Sequence, residues 1–284
     1  MGVPGRPALA LVALLAAATP AEATWSIVAV DPTTREVGVA GASCILGSEV
    51  IAVVVPGHGA AVAQAMTNPD ARVRLRASLA SGRSAAEALH AVTTRWFDSF
   101  LGAPTGNLRQ YGVVTLDDPA APVHFTGRWT PGARRAEAAR GVTVQGNSLV
   151  GPEVVEQALA RFQADGRSCT PRLADRLMAA LVAGAEAGGD KRCAPALAAL
   201  SAFLYVAAPG DDPQQPGLSL LRNRPGQPPW TLLQEVRNAL RPAPGSRDEN
   251  PVLLLRSDYE RWARSSGPGP ACLPQATSMR GGPG

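Results

Sequence analysis

Two pairs of strand-like segments with almost no charge inside them constrain this chain most. Thr24–Asp31 and Glu36–Ser43 are rich in Val, Ile and small residues and are separated by Pro32-Thr33-Thr34-Arg35, which predicts a β-hairpin. Val50–Pro56 and Ala60–Met66 flank Gly57-His58-Gly59 and predict a second. All four segments carry small or apolar residues at nearly every position rather than on alternate ones. Strands of that kind are covered on both faces, so the chain must build layers on either side of its sheets.

The helices expected to supply that cover come in pairs. Asn68-Pro69 places a capping residue before a proline at the first helical position, and Gly82 closes the segment. Ser84-Ala85-Ala86-Glu87 is a capping box that opens a helix through Leu89, Val92 and Trp96. Strands return at Gln110–Leu116, Val123–Gly127 and Val142–Gln145. Pro152–Gln163 then carries Val155, Leu159 and Phe162 on one stripe. Thr170-Pro171 is expected to cap and start the next helix, with Leu173, Leu177, Leu181 and Ala185 at i+4 spacing. Closing strands are expected within Leu197–Ala207 and Leu218–Leu221, and a short helix at Trp230–Leu240. This order predicts an α+β fold with helices segregated outside stacked sheets. It is not the βαβα alternation of a nucleotide-binding fold, and no Gly-rich phosphate loop follows a strand.

The N-terminus has the parts of a secretory signal. Arg6 gives a positive start, Ala8–Ala18 is an unbroken run of eleven apolar residues, and Ala21-Glu22-Ala23 is a small-x-small cleavage site. The run is too short to span a bilayer, which needs roughly 20 residues. Cutting after Ala23 removes 23 of 284 residues, leaves 261, and makes Thr24 the first residue. The expected organisation is a signal over 1–23 and one domain over 24–264, with a core over 24–221 and a C-terminal helical extension over 229–264. A Gly/Pro-rich tail over 265–284 has the composition of a disordered segment. The mature protein is expected to be exported, periplasmic or extracellular, with no membrane association after cleavage.

A sequence pI of about 9.2 suggests a polyanionic partner, but the residues do not. Of 27 basic residues only Lys191 is a lysine; the arginines are scattered, and aromatic residues total 5 %. Nucleic-acid recognition needs a concentrated basic footprint, so no nucleic-acid partner is expected. Cys44, Cys169, Cys193 and Cys272 suit one or two disulfides in an exported chain, with the pairing open. Neither the cysteines nor His58, His90 and His124 have metal-ligand spacing, so neither metal nor cofactor is expected. Gly146-Asn147-Ser148-Leu149-Val150 misses a nucleophile elbow because Val150 stands where glycine is required.

Four motifs in order carry a resemblance. Thr24-Trp25-Ser26-Ile27-Val28-Ala29 resembles the TFSIVA opening of the bacterial domain-of-unknown-function family 1028. Ala63-Gln64-Ala65-Met66-Thr67-Asn68-Pro69 is similar to its TQAxxNP segment, Val144 to Pro152 to its VQGNxLxGP segment, and Gly188-Gly189-Asp190-Lys191-Arg192 to its GGDxR segment. The match runs from about Thr24 to Leu221. The family pattern continues as GGDxRGxQSA, whereas this chain reads Cys193-Ala194-Pro195-Ala196 after Arg192 and lacks the Gln-Ser pair. The family is similar to the N-terminal nucleophile (Ntn) hydrolases. The resemblance therefore implies a four-layer αββα sandwich with its nucleophile at the start of the first strand.

A threonine with a free α-amine holds nucleophile and base on one residue. The amine has an ordinary pKa near ~7.7–8 and is partly neutral at pH 7. The expected activity is hydrolysis of an amide or peptide-like bond in a small-molecule or peptide substrate, with Thr24 catalytic. Gln64 and Asn147 are candidate oxyanion or substrate contacts because their amides donate without charge. Asn68 is a further candidate, although a helix cap explains it as well. Asp190 and Arg192 are candidates to hold the amine or a substrate carboxylate, or else form a turn-stabilising ion pair. Lys191 is a weaker candidate partner for the threonine. The rival expectation is an inactive protein of the same scaffold that binds a peptide or cell-wall fragment.

Overall fold

The computed structural model describes residues 24–66, 68–94, 97–100, 103–164, 172–224 and 249–266. In chain order the strands and helices are β1 (Thr24–Asp31), β2 (Glu36–Ser43), β3 (Ala52–Val55), β4 (Gly59–Gln64), α1 (Pro69–Ala80) and α2 (Ala85–Thr93). Then come β5 (Ser99–Phe100), β6 (Ala103–Pro104), β7 (Gln110–Thr115), β8 (Val123–Thr126), β9 (Ala133–Ala139) and β10 (Val142–Leu149). The chain closes with α3 (Glu153–Ala164), α4 (Leu173–Glu186), β11 (Ser201–Ala207), β12 (Leu218–Asn223) and α5 (Pro251–Ser265).

The fold is α+β. One antiparallel sheet has the order β12-β11-β2-β1-β10-β9 and the other β3-β4-β7-β8, with β5 and β6 forming a small ribbon. Three apolar clusters account for the stacking. Trp25, Ile27 and Ala29 of β1 pack with Leu173, Leu177 and Leu181 of α4 and with α3 and α5. The alternate β1 residues Val28 and Val30 meet Val62 of β4 and Val114 of β7 between the sheets. Ala61 of β4 and Val113 of β7, on the far face of the smaller sheet, pack under Leu75 of α1 and Ala88 of α2. The first hairpin is thus covered on both faces, as its lack of alternation demanded.

The local signals act as expected at most boundaries. The Asn68 side chain accepts from the Asp70 and Ala71 amides at the start of α1. Ser84 and Glu87 form a reciprocal capping box, with Ser84 N–H reaching Glu87 Oε2 at 2.9 Å and Glu87 N–H reaching Ser84 Oγ at 3.3 Å. Helix α4 has Arg172 at its cap position, where the Arg172 amide donates to the Asp175 carboxylate at the third helical position at 3.0 Å. The expected cap, Thr170-Pro171, lies outside the described residues.

Strand β9 was not foreseen, and helix α5 lies almost wholly in the span 229–264 where a helical extension is expected. Strand β9 reads Ala-Arg-Arg-Ala-Glu-Ala-Ala, a helix-like composition held extended because it pairs along the open edge of β10. Helix α5 packs Val252, Leu255 and Tyr259 into the α4 side of the large sheet, and the Tyr259 hydroxyl donates to Asp175. The expected signal segment, the Trp230–Leu240 helix, the C-terminal tail, Cys169 and Cys272 lie outside the described residues. No helix among the described residues is long and apolar enough to cross a membrane.

Candidate active site

The layer between the two sheets changes character along its length. At one end it is aliphatic and aromatic. At the other, β1 contributes Thr24 and Ser26, β2 contributes Ser43, β4 and β7 contribute Gln64 and Gln110, and β10 contributes Thr143, Gln145 and Asn147, all of them buried. Strand parity decides this: on β1 the inward positions run Thr24, Ser26, Val28, Val30, so one face is polar for two residues and then apolar.

Register brings Thr24 between two other polar residues. It lies opposite Asn147 on β10 and opposite Ser43 on β2, and Ser43 in turn lies opposite Ser201. Thr24 Oγ1 donates to Ser43 Oγ at 3.2 Å. Ser26 Oγ donates to Gln64 Oε1 at 2.6 Å and accepts from Gln145 Nε2 at 2.8 Å. Gln64 Nε2 reaches Gln110 Oε1 at 2.8 Å and the Thr24 carbonyl at 3.4 Å, while Asn147 Nδ2 reaches the same Gln110 oxygen at 3.3 Å. Gln110 ties the cluster together, because its Nε2 also donates to the Gly146 carbonyl at 3.0 Å and to Thr126 Oγ1 at 2.9 Å. Gly112 makes room for this packing: a Cβ there would sit 2.2 Å from Gln145 Oε1.

The network is incomplete on the β10 side. Asn147 Oδ1, Gln145 Oε1 and Thr143 Oγ1 are buried with no hydrogen-bond partner among the described residues. Buried polar atoms in folded proteins are rarely left this way. The backbone is also strained beside the two amides. Ala65 and Met66 directly after Gln64 have φ of 58° and 50°, and Ser148 directly after Asn147 has φ of 47°. Left-handed non-glycine residues cost about 1–3 kcal/mol each and collect at functional sites. A break in the β10–β9 register between Gly146 and Leu149 bulges the strand at the same place.

On the Ser43 side stands an ion pair. Asp190 is fully buried; its carboxylate accepts from Arg192 Nη2 at 2.9 Å, from the Arg192 amide at 2.9 Å and from the Cys44 amide at 2.6 Å. Burial pushes the Asp190 carboxyl above the usual carboxylate range, and the Arg192 guanidinium pulls against it. Arg192 Nη2 also reaches Ser43 Oγ at 3.4 Å, which links the pair to Thr24 through one hydroxyl. The Gly188-Gly189 step that delivers Asp190 requires glycine: φ is 109° and 62°, and a Cβ on Gly189 would lie 2.7 Å from the Ala198 carbonyl. Cys44 and Cys193, each one residue beyond a member of this group, form a disulfide.

Of the residues singled out from the sequence, Thr24, Gln64, Asn147, Asp190 and Arg192 are therefore joined by contacts or register. Asn68 caps α1 and makes no hydrogen bond to this group among the described residues. The Lys191 side chain is exposed, and its amide donates to the Ser148 carbonyl at 3.1 Å. Sequence reasoning passed over Ser26, Ser43, Gln110 and Gln145. The two hydroxyl residues Thr24 and Ser26, two positions apart at the head of β1, were the one available signal for Ser26. Among the described residues there is no group of three or more His, Cys, Asp or Glu side chains placed to hold a metal ion.

The model of a family of unknown function, DUF1028, matches residues 24–229. The chain belongs to this DUF1028 family. The matched region begins at Thr24 and contains every residue of the polar cluster. A crystal structure of a DUF1028 protein from Silicibacter pomeroyi is similar in fold, with a TM-score of 0.62 and 21% sequence identity over 85% of this chain and 89% of that one. No protein of curated function matches the chain.

Proposed function

We propose that this DUF1028 member is an exported hydrolase of amide or peptide-like bonds that uses Thr24 as an N-terminal nucleophile once residues 1–23 are removed. On this reading, the two sheets with helices against both outer faces form the four-layer sandwich of the Ntn hydrolases. The observation that carries the proposal is the position of Thr24. It opens β1 at the polar end of the inter-sheet layer, in register with Asn147, whose Oδ1 lacks a partner among the described residues.

The chemistry follows from residues already described. The neutral α-amine of Thr24 takes the Oγ1 proton as the oxygen bonds to the substrate carbonyl carbon. Collapse breaks the C–N bond, and the departing amine takes that proton from the α-ammonium group. Water then attacks the resulting ester and frees Thr24 by the reverse transfer. Asn147 is better suited than Gln64 to stabilise the oxyanion. Gln64 has both N–H groups engaged, by Gln110 and the Thr24 carbonyl, whereas Asn147 Nδ2 donates once, to Gln110. Ser43, which accepts from both Thr24 and Arg192, orients the nucleophile.

The test is intact mass and N-terminal sequencing of protein recovered from an exporting host, followed by reaction with a β-lactone. The expected result is a chain that begins at Thr24 and gains one equivalent of the lactone as an ester on that residue. A chain beginning elsewhere, or a Thr24 chain that never reacts, would overturn the hydrolase reading and leave the scaffold as a binder of peptide or cell-wall fragments.

A further inference from the structure

One connection crosses from sheet to sheet at the end of the layer where Thr24 lies. Strand β8 ends at Thr126, opposite Gln110, and β9 begins at Ala133, opposite Leu149, so residues 127–132 bridge the sheets beside the polar cluster. Both feet of this loop are fixed next to residues of that cluster. The Gly127 amide and the Thr130 hydroxyl donate to the Arg109 carbonyl at 2.9 and 3.1 Å, one residue before Gln110. The Ser148 amide donates to the Pro131 carbonyl at 3.0 Å, one residue after Asn147. Gly132, with φ of 67°, lets the loop close on Ser148, whose Cα would lie 2.6 Å from a Cβ there.

This pinned loop holds a large aromatic side chain in solvent. Trp129 is 54% exposed, while its amide donates to the Asn107 carbonyl at 3.0 Å and fixes the backbone beneath it. An apolar side chain exposed singly on a surface needs no explanation, but this one is preorganised and does not stand alone. The Arg128 guanidinium lies over its ring, 4.8 Å from the centroid. A guanidinium stacked in this way keeps its N–H edge for a carboxylate. Arg134 adds a second positive charge at the loop, where its Nη1 donates to the Thr130 carbonyl at 2.9 Å. Neither arginine forms an ion pair with an acid among the described residues. The rim thus offers an aromatic face and an excess of positive charge on a rigid base.

We propose that Trp129 and Arg128 form a subsite for the C-terminal end of a short peptide-like molecule, with an aromatic side chain on the indole and the free carboxylate on the guanidinium. Strand β9, which the loop feeds, is two strands from β1. At ~4.8 Å per strand the base of the loop stands roughly 10 Å from Thr24, about three residues of extended chain. On the hydrolase reading, from which the role of this end as part of the substrate follows, a peptide with its scissile amide at Thr24 reaches the rim within a few residues. The binding itself does not depend on that reading.

N-acetyl-L-phenylalanine, which carries both groups, is the probe. It is titrated into the ¹⁵N-labelled full chain while the Trp129 indole N–H and the Thr130 and Gly132 amide signals are followed. The expected result is saturable shifts with a Kd on the order of millimolar, the range for a fragment of this size. N-acetyl-L-phenylalaninamide, which keeps the ring and lacks the charge, should bind about threefold more weakly, as should the acid to Arg128→Gln. Trp129→Ala, followed at the two amides, should weaken binding about fivefold through the lost ring contact. Both side chains are exposed, so neither variant disturbs the core. Absence of saturation up to about 50 mM, well above the fragment range, would overturn the subsite. So would equal affinity for the acid and its amide, or unchanged affinity in Trp129→Ala. A chain that never takes the β-lactone sinks the hydrolase reading alone, because these shifts involve no chemistry at Thr24 and still decide the rim.

Discussion

The two halves of the layer between the sheets are built on the same strands and do different work. In the apolar half, Val28, Val39, Val62, Val114 and Phe203 are fully buried and pack in one aliphatic and aromatic cluster. In the polar half, Thr24, Ser26, Ser43, Gln64, Gln110 and Gln145 are just as buried, yet they meet through directional hydrogen bonds and leave three acceptors on β10 unmatched among the described residues. Apolar burial is non-directional and tolerates small shifts. A buried polar network stabilises only if every member is matched. The unmatched network lies at the end of two sheets, beside three left-handed non-glycine residues, and it is the half on which the proposed chemistry rests.

That contrast predicts opposite responses to mutation. Thr24→Ala should have the largest effect on chemistry: β-lactone labelling is lost and any turnover falls by on the order of 10³-fold or more. Its melting temperature should stay close to that of the parent, because only the bond to Ser43 is removed. A Thr24→Ala protein that still turns over would erase the distinction between the halves. Phe203→Ala should do the reverse, lowering stability by about 3–5 kcal/mol in urea denaturation while the labelling rate of the folded protein is unchanged. Ser26→Ala should fall between them. It strands Gln64 Oε1 and leaves Gln145 Nε2 only its bond to the Ser26 carbonyl, which costs about 1–3 kcal/mol and slows labelling as Gln64 loosens beside Thr24.

The smallest effect is expected outside the layer, at Asp98. Burial alone would raise its carboxyl, but hydrogen bonds from Arg109 and Thr105 outweigh that and hold it below the usual range. The stability this contributes is present above the unfolded value of ~3.9 and is lost as pH falls through the lower folded value. Asp98→Asn should therefore flatten the acid limb of a plot of urea midpoint against pH and leave labelling near neutrality unchanged. An equally steep acid limb in the variant would assign that slope to other carboxylates.

Much of this was legible in particular residues. The uninterrupted small and apolar runs of β1 to β4 foretold cover on both faces. Asn68 and the Ser84–Glu87 box marked two helix starts, and Thr24, Gln64 and Asn147 stood out by their motifs. What escaped had no local signal. The β9 residues have helix-forming side chains and became a strand through pairing with β10. Ser43 and Gln110 lie 19 and 46 positions from the residues they bond, and only strand register made them neighbours. Asn68 fits both a cap and a site residue by local rules, and the fold makes it the cap of α1.

Periodicity, caps and turns are encoded within a few residues of one another, so the sequence by itself determined most of the elements and the double burial of the first strands. Contacts across the layer depend on how strands far apart in the chain align. The tertiary structure alone therefore decided that Thr24 faces Asn147 and Ser43 and that Cys44 pairs with Cys193.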